Sequence, residues 1–424
     1  SLESIRDYQR AQGVPELPQR SAHLRVLVVE DDPASLEMFR NAIASWSLPL
    51  QLVTARDGFE GLLRVGESHP DLLITDQGFT MTELDSVPGG VGLTAYLNEV
   101  YAEDFPRVIG ANSMPDRFMA SLARLTPKEK FPLVAIVVSD EAATYRPEFE
   151  WLGEKLRTLG HDVHVITPAQ IMQMGDGSYI PVDGAPRRVD ILYRFFELFD
   201  LANVKGADGI FNAVEAGTLT LTPPMKAFQE EKLGLALLHH PQLAEFWKEN
   251  LPEDHYEALF RIIPQTWIME KTELPPTAVL HAPGFAGRPI REWTELAEAS
   301  QRERNLIIKA SGFHETAWGA RSVTLGSDVS REEWLEAIEN ALNPENETFH
   351  VMQEYHKPSR LTHPVYADDG SVVPADGRVR LCPYFFADND TVELSGILST
   401  FCPADKKIIH GMSDAALLPC HLVS

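Results

Sequence analysis

Lys309 ends a predicted strand, Asn305–Lys309, and is followed by Ser311-Gly312-Phe313-His314-Glu315-Thr316-Ala317-Trp318-Gly319. A cation at a strand end, beside loop amides, suits neutralisation of the charge on a transferring phosphate. Gly312 and Gly319 bound the loop where backbone can approach phosphate oxygens closely. Lys226 and Lys232 add two cations on a predicted helical segment running from Leu221 to His240, at a spacing only approximately one-faced.

Acids form the second constellation. Asp71-Leu72-Leu73-Ile74-Thr75 and Phe79-Thr80-Met81-Thr82-Glu83-Leu84-Asp85 flank Asp76-Gln77-Gly78, which reads as a hairpin turn with Gly78 at the left-handed position. That register sets Asp71 opposite Glu83 and His69 opposite Asp85, on one face of the hairpin. Asp71, Glu83 and Asp85 are then candidate ligands for Mg²⁺, which takes one or two carboxylates together with phosphate oxygens and water. Pro88-Gly89-Gly90-Val91-Gly92 follows as a loop suited to a ligand. Further on, Gln353-Glu354-Tyr355 ends the predicted strand Phe349–Glu354, where a hinge backbone could meet an adenine edge and ribose.

The elements that must position these groups are legible in the hydrophobic pattern. Leu24–Val29, Leu50–Ala55 and Asp71–Thr75 alternate with helical stretches over Pro33–Trp46 and Gly58–Glu67, a β-α-β-α-β series whose natural packing is parallel. Leu133–Ser139, a helix near Phe149–Leu159, Val163–Thr167 and Val189–Arg194 form a second α/β region. A helix-rich tract reaches Ile263. Val323–Leu325 reads as the partner of the Lys309 strand, and Ser330–Leu342 as a helix whose Ser330 and Glu333 make a capping box. Arg378–Phe386 and Val392–Ser399 are further strands.

Composition limits the function. The 62 acidic against 37 basic side chains give a net charge of −25, which repels a nucleic-acid backbone, so no nucleic-acid partner is expected. No apolar run approaches the ~20 residues that span a bilayer, so no membrane partner is expected. The three cysteines, Cys382, Cys402 and Cys420, are widely spaced and odd in number, which points to a reducing, cytoplasmic setting.

Four stretches carry a family resemblance: Asp71…Thr82-Glu83-Leu84-Asp85-Ser86, Pro224-Met225-Lys226…Glu231-Lys232, Ile307-Ile308-Lys309…Gly312…Gly319, and Val351-Met352-Gln353-Glu354. In order and spacing, residues 71–420 resemble the circularly permuted ATP-grasp proteins related to the synthetase domain of glutathionylspermidine synthase. The resemblance implies an α/β (α+β) fold of ATP-grasp type and a ligase in which ATP phosphorylates a carboxylate that an amine then attacks, giving an amide, ADP and phosphate. It implies ATP and Mg²⁺ as cofactors, and a small-molecule carboxylate and amine as substrates. Mg²⁺ would sit on Glu83 and Asp85 with Asp71 nearby. Lys232 and Lys309 would hold nucleotide phosphates, with Lys226 a further match, and Lys309 would serve in catalysis. The chain departs from the family at His69, where such synthetases place an arginine, and in the late stretch Gly396-Ile397-Leu398-Ser399-Thr400, which lacks another. Arg378 or Arg380 on a neighbouring strand is the available substitute, with Arg380 taken as the candidate catalytic arginine.

Residues 23–76 also resemble the first half of a response-regulator receiver domain, through Val26-Leu27-Val28-Val29-Glu30-Asp31-Asp32 and His69-Pro70-Asp71-Leu72-Leu73-Ile74-Thr75-Asp76. There, Asp31 and Asp32 would hold Mg²⁺ and Asp76 would accept phosphate. The expected divisions are a leader over 1–22, a receiver-like half domain over 23–70, an acidic-hairpin, substrate and pre-ATP-grasp region over 71–220, and an ATP-grasp nucleotide-binding region over 221–424. Asp71–Asp76 cannot serve both as a buried receiver strand and as a hairpin arm. Beside the ligase stand two alternatives: an ATP-binding, non-catalytic sensor or scaffold, and a regulator phosphorylated on Asp76.

Overall fold

Three short apolar runs open the fold. β1 (Leu24–Val29), β2 (Leu50–Ala55) and β3 (Leu72–Thr75) form a parallel sheet in the order β2-β1-β3, with Leu24 beside Leu50 and Val26 beside Leu72. The structure, a computed structural model, describes residues 24–29, 50–55, 72–75, 79–105, 107–229, 231–312, 321–346, 348–367, 369–388, 391–409 and 415–421. The intervening helices expected at Pro33–Trp46 and Gly58–Glu67, the turn Asp76–Gly78, and His69, Asp31, Asp32, Asp71 and Asp76 lie outside the described residues, as does Gly319. The chain divides into two units, one holding the described residues up to Phe79 with those in 362–375 and His421, the other residues 80–361 and 376–420.

The parallel pairing corrects the expected acidic hairpin. β3 pairs with β1, and Phe79–Asp85 forms no strand. The physical reason lies in the two patterns. Leu72-Leu73-Ile74 is a continuous apolar run, as suits a parallel strand covered on both faces. The alternation after Phe79 is not matched by burial, since Phe79 and Leu84 are both exposed. Among the ties that hold this segment is a hydrogen bond from Met81 N to Ile262 O at 2.7 Å.

The second unit begins with α1 (Val91–Ala102) and α2 (Met114–Ala123). β4 (Leu133–Val138), α3 (Arg146–Thr158) and β5 (Asp162–Ile166) make a β-α-β unit. An antiparallel excursion follows through β6 (Met172–Met174), β7 (Gly177–Val182) and β8 (Ala185–Arg188). The chain returns as β9 (Ile191–Phe195), α4 (Ala207–Glu215) and β10 (Thr220–Thr222), completing a parallel sheet ordered β10-β9-β4-β5. β4 is buried along its whole length because its period-two side chains enter two different cores. Val134, Ile136 and Val138 pack with Val91, Phe118 and Phe149 of α1, α2 and α3, whereas Leu133, Ala135 and Val137 pack with Ile180 and Ile210.

The lysine-bearing region is a second sheet. After α5 (Leu233–His239), α6 (Ala244–Asn250) and α7 (Glu253–Ile262) come β11 (Thr266–Met269), β12 (Leu306–Ala310), β13 (Thr324–Leu325), α8 (Arg331–Ala341) and β14 (His350–Glu354). The strands are antiparallel in the order β11-β14-β12-β13. Ser330 caps α8 with Glu333 in the reciprocal box its sequence predicts. One face of this sheet, Trp267, Met269, Ile308 and Met352, packs under Trp334 and Ile338 of α8. Alternation turns Thr266, Ile307, Lys309, Val351 and Gln353 to the other face.

β16 (Val372–Asp388), β17 (Thr391–Pro403) and β18 (Ala416–Pro419) pair antiparallel in chain order, while β15 (Arg360–Tyr366) lies mostly in the first unit. Tyr384 of β16 and Leu398 of β17 enter the core of α1, α2 and α3. The second unit is thus mixed α/β, with one parallel sheet and several antiparallel ones. Among the described residues no helix is long and apolar enough to cross a membrane.

Candidate functional site

Lys309 is 8% exposed on the side of β12 away from α8. Its Nζ donates to Gln353 Oε1 at 2.8 Å and to the Thr82 carbonyl at 3.3 Å. Gln353, 2% exposed, uses its other amide atom on Thr266 Oγ1 at 2.9 Å, and Thr266 Oγ1 donates onward to Pro264 O at 2.8 Å. Lys309, Gln353 and Thr266 of this relay stand on three neighbouring strands, β12, β14 and β11. Burial pulls the Lys309 ammonium down to a pKa of about 8, with Glu83 opposing the fall and Lys232 adding to it.

Lys232 immediately precedes α5, and its Nζ reaches Glu83 Oε1 at 3.0 Å. Ser311, at the end of the Lys309 strand, accepts from Lys232 N through its carbonyl at 2.9 Å and from Leu233 N through its hydroxyl oxygen at 2.8 Å. The same hydroxyl donates to Glu231. Two amides that open α5 are therefore satisfied by the β12 terminus rather than by a local cap. Lys226 lies elsewhere. It is exposed, precedes a short 3₁₀ turn at Ala227–Gln229 and leans over the Phe228 ring, so the shared helix expected for Lys226 and Lys232 does not form. Pro223 and Pro224 start that segment, and the chain turns before α5 begins.

Gly312 is buried, and its carbonyl accepts from Thr348 Oγ1 at 2.7 Å. Of the hinge pair, Glu354 is the exposed member, while Gln353 is committed to Lys309. Glu354 N donates to Gln265 O and Tyr355 N to Asn305 O.

From Thr82 the acidic segment passes to a second cluster. Asp85 Oδ1 accepts from Val87 N at 2.9 Å, Tyr384 Oη donates to Gly89 O at 2.7 Å, and Glu148 Oε1 accepts from Gly90 N at 2.7 Å. Glu148 Oε2 accepts from Leu93 N at 2.9 Å, so this carboxylate of α3 caps α1. Burial raises the Glu148 carboxyl despite these amides, which lower it. Burial also raises Tyr145, with Glu148, Asp85 and Glu197 pushing the same way and Arg380 opposing. Arg380 and Asp85 thus act on one hydroxyl. Arg380 is exposed on β16, whereas Arg378 is buried and donates to the carbonyls of Ala404 and Pro358. Only Arg380 of the two presents its guanidinium to solvent.

Glu83 and Asp85 are exposed carboxylates two residues apart, and Glu83 lies beside the buried Lys232 and Lys309. That donor set fits Mg²⁺ shared with phosphate oxygens, since the ion takes one or two protein carboxylates and retains water. Among the described residues no group of three or more His, Cys, Asp or Glu side chains could hold a metal unaided. Sequence reasoning missed Glu148, Tyr145, Tyr384 and Thr266, and named Ser311 only as the start of the loop after Lys309. The Pro147-Glu148 pair at the start of a predicted helix was the one local signal, and it named no partner.

No protein-family model matches the chain, and no curated protein matches it.

Proposed function

We propose that the chain is an ATP-dependent, ADP-forming carboxylate–amine ligase of ATP-grasp type that works with Mg²⁺. The observation that carries this reading is the Lys309–Glu83–Lys232 arrangement. It puts two buried ammonium groups around one half-exposed carboxylate, on the side of an antiparallel sheet turned away from α8. Two buried cations set close enough to act on one carboxylate suit a polyanion such as a triphosphate.

In the reaction a substrate carboxylate oxygen attacks the γ-phosphorus and the bond to ADP breaks. The amine nitrogen then attacks the acyl carbon, phosphate leaves and the amine loses a proton. Lys309 and Lys232 hold negative charge on the phosphates, with Gln353 fixing the direction of the Lys309 ammonium. Glu83 and Asp85 would hold Mg²⁺, which supplies further charge neutralisation when bound. Arg380, which acts with Asp85 on the Tyr145 hydroxyl, would meet the carboxylate substrate. Cys382, Cys402 and Cys420 form no disulfide, which accords with a cytoplasmic setting.

The test is calorimetric titration with Mg-ATP, followed by measurement of ADP release over a panel of acids and amines. Binding by the natural chain, its loss in Lys309→Ala, and ADP release that requires both substrates are expected. Unchanged ATP affinity in Lys309→Ala would remove the site assignment. Binding without turnover across the panel would favour the non-catalytic sensor.

A further inference from the structure

We infer that Glu148 and Tyr384 are positioning residues that hold the Pro88–Gly92 loop from two sides and thereby set Asp85 for the metal; this rests on the ligase reading above.

The loop has little freedom. Glu148 takes Gly90 N and Leu93 N in a fork, at 2.7 and 2.9 Å, and Tyr384 donates to the intervening side of the turn at Gly89 O. A Cβ on Gly89 would overlap the Tyr145 ring, one on Gly92 the Glu148 backbone, and one on Gly90 would lie 2.6 Å from Tyr384 Oη. Gly90 also has φ +89°, a left-handed value that disfavours a side chain. Three glycines therefore let the loop lie flat between α3 and β16. Val87, buried in the same core, continues the grip to Asp85, whose Oδ1 accepts from Val87 N. From Asp85 to Leu93 the chain is tied at four points, one of them the Asp85 carboxylate itself, which fixes its direction. A metal ligand gains from such prior fixing because less ordering remains to be done on binding.

Glu148 has a competing role as a plain link between helices α1 and α3, and the fold supplies its own control. Lys155 of α3 and Glu99 of α1 form a separate ion pair at 2.7 Å that touches no loop residue. Glu99→Gln loosens the same helix pair without releasing the loop. Tyr384→Phe releases Gly89 O without changing charge, which separates positioning from the electrostatic effect of removing a carboxylate in Glu148→Gln.

The experiment measures ATP binding by calorimetry with and without Mg²⁺, and amide exchange over residues 89–93, in the natural chain and these three variants. Expected are a roughly fivefold to tenfold weaker Mg²⁺-dependent increment and faster loop exchange in Glu148→Gln, a smaller change of the same kind in Tyr384→Phe, and neither in Glu99→Gln. Metal-free ATP affinity should stay unchanged throughout. If the natural chain shows metal-dependent binding and Tyr384→Phe and Glu148→Gln retain it in full, the positioning role falls while the nucleotide site stands. Equal losses in Glu99→Gln would reduce Glu148 to a structural link. Absence of any metal-dependent increment in the natural chain would overturn both this inference and the Mg²⁺ assignment.

Discussion

Lys232 and Glu83 form an ion pair of unequal exposure: the lysine side chain is 9% exposed, the carboxylate 52%, and their atoms are 3.0 Å apart. The lysine has surrendered its water, and the acid has not. Removing the acid therefore harms the lysine more than removing the lysine harms the acid.

In Glu83→Gln, Lys232 loses its 3.0 Å carboxylate contact and Lys309 loses a charge that raises its pKa. The half-exposed partner limits the cost, and a loss of about 1 kcal/mol in unfolding free energy is expected. Chemical denaturation checks this. The variant should regain stability in millimolar phosphate or ATP more strongly than the natural chain does.

Glu83→Ala combined with Asp85→Ala removes both exposed carboxylates. Nucleotide binding in the presence of Mg²⁺ should weaken while metal-free binding holds. Calorimetry with and without the metal gives the comparison, and equal losses under both conditions would count against metal ligation.

The depressed Lys309 pKa has a definite sign. Its folded value of about 8 lies below the unfolded 10.5, so below pH 8 both states are charged and the desolvation cost is fully present. Between the two values the unfolded chain binds more proton, and the contribution to stability rises with pH. Nucleotide binding should run the opposite way. A bound phosphate favours the charged lysine, so ATP affinity should fall above pH 8 and binding should take up protons there. Calorimetry at pH 8.5 in buffers of different ionisation enthalpy reads that uptake directly.

Gln353→Leu removes the acceptor of the 2.8 Å bond to Lys309 and leaves Thr82 O as the acceptor described above. Stability should fall by about 1–3 kcal/mol, the usual cost of a buried polar group losing its partner. The Lys309 pKa should drop further. A pH profile of ATP binding that shifts to lower pH would show it, and an unmoved profile would argue that Gln353 does not orient the ammonium.

The sequence made local structure legible where a side-chain period or a cap recorded it. The Ser330 box, the paired Leu306–Ala310 and Thr324–Leu325 strands, and the wholly apolar Leu133–Val138 strand are of that kind. The parallel pairing of the first three strands also followed from their apolar runs. The acidic hairpin misled because a glycine turn and an alternating segment supply local signals without the burial that makes a strand. Lys226 and Lys232 misled in a similar way, through helical composition in a stretch that the structure divides between a 3₁₀ turn and α5. Glu148 with Gly90, and Tyr384 with Gly89, were beyond reach for another reason. Each joins residues far apart in the chain, and neither spacing nor propensity encodes which distant backbone group a buried carboxylate or phenol will meet.

Ser311 gives the site a mechanical property. It lies two residues beyond Lys309 and is bonded through both its carbonyl and its hydroxyl to the backbone that opens the Lys232 helix. The two ammonium groups are therefore anchored on one short bracket instead of on independently moving arms. Such a bracket works as a fixed-gauge caliper: it meets a ligand with its jaws already set, and the binding free energy that a floppy pair would spend on its own alignment stays available for the ligand.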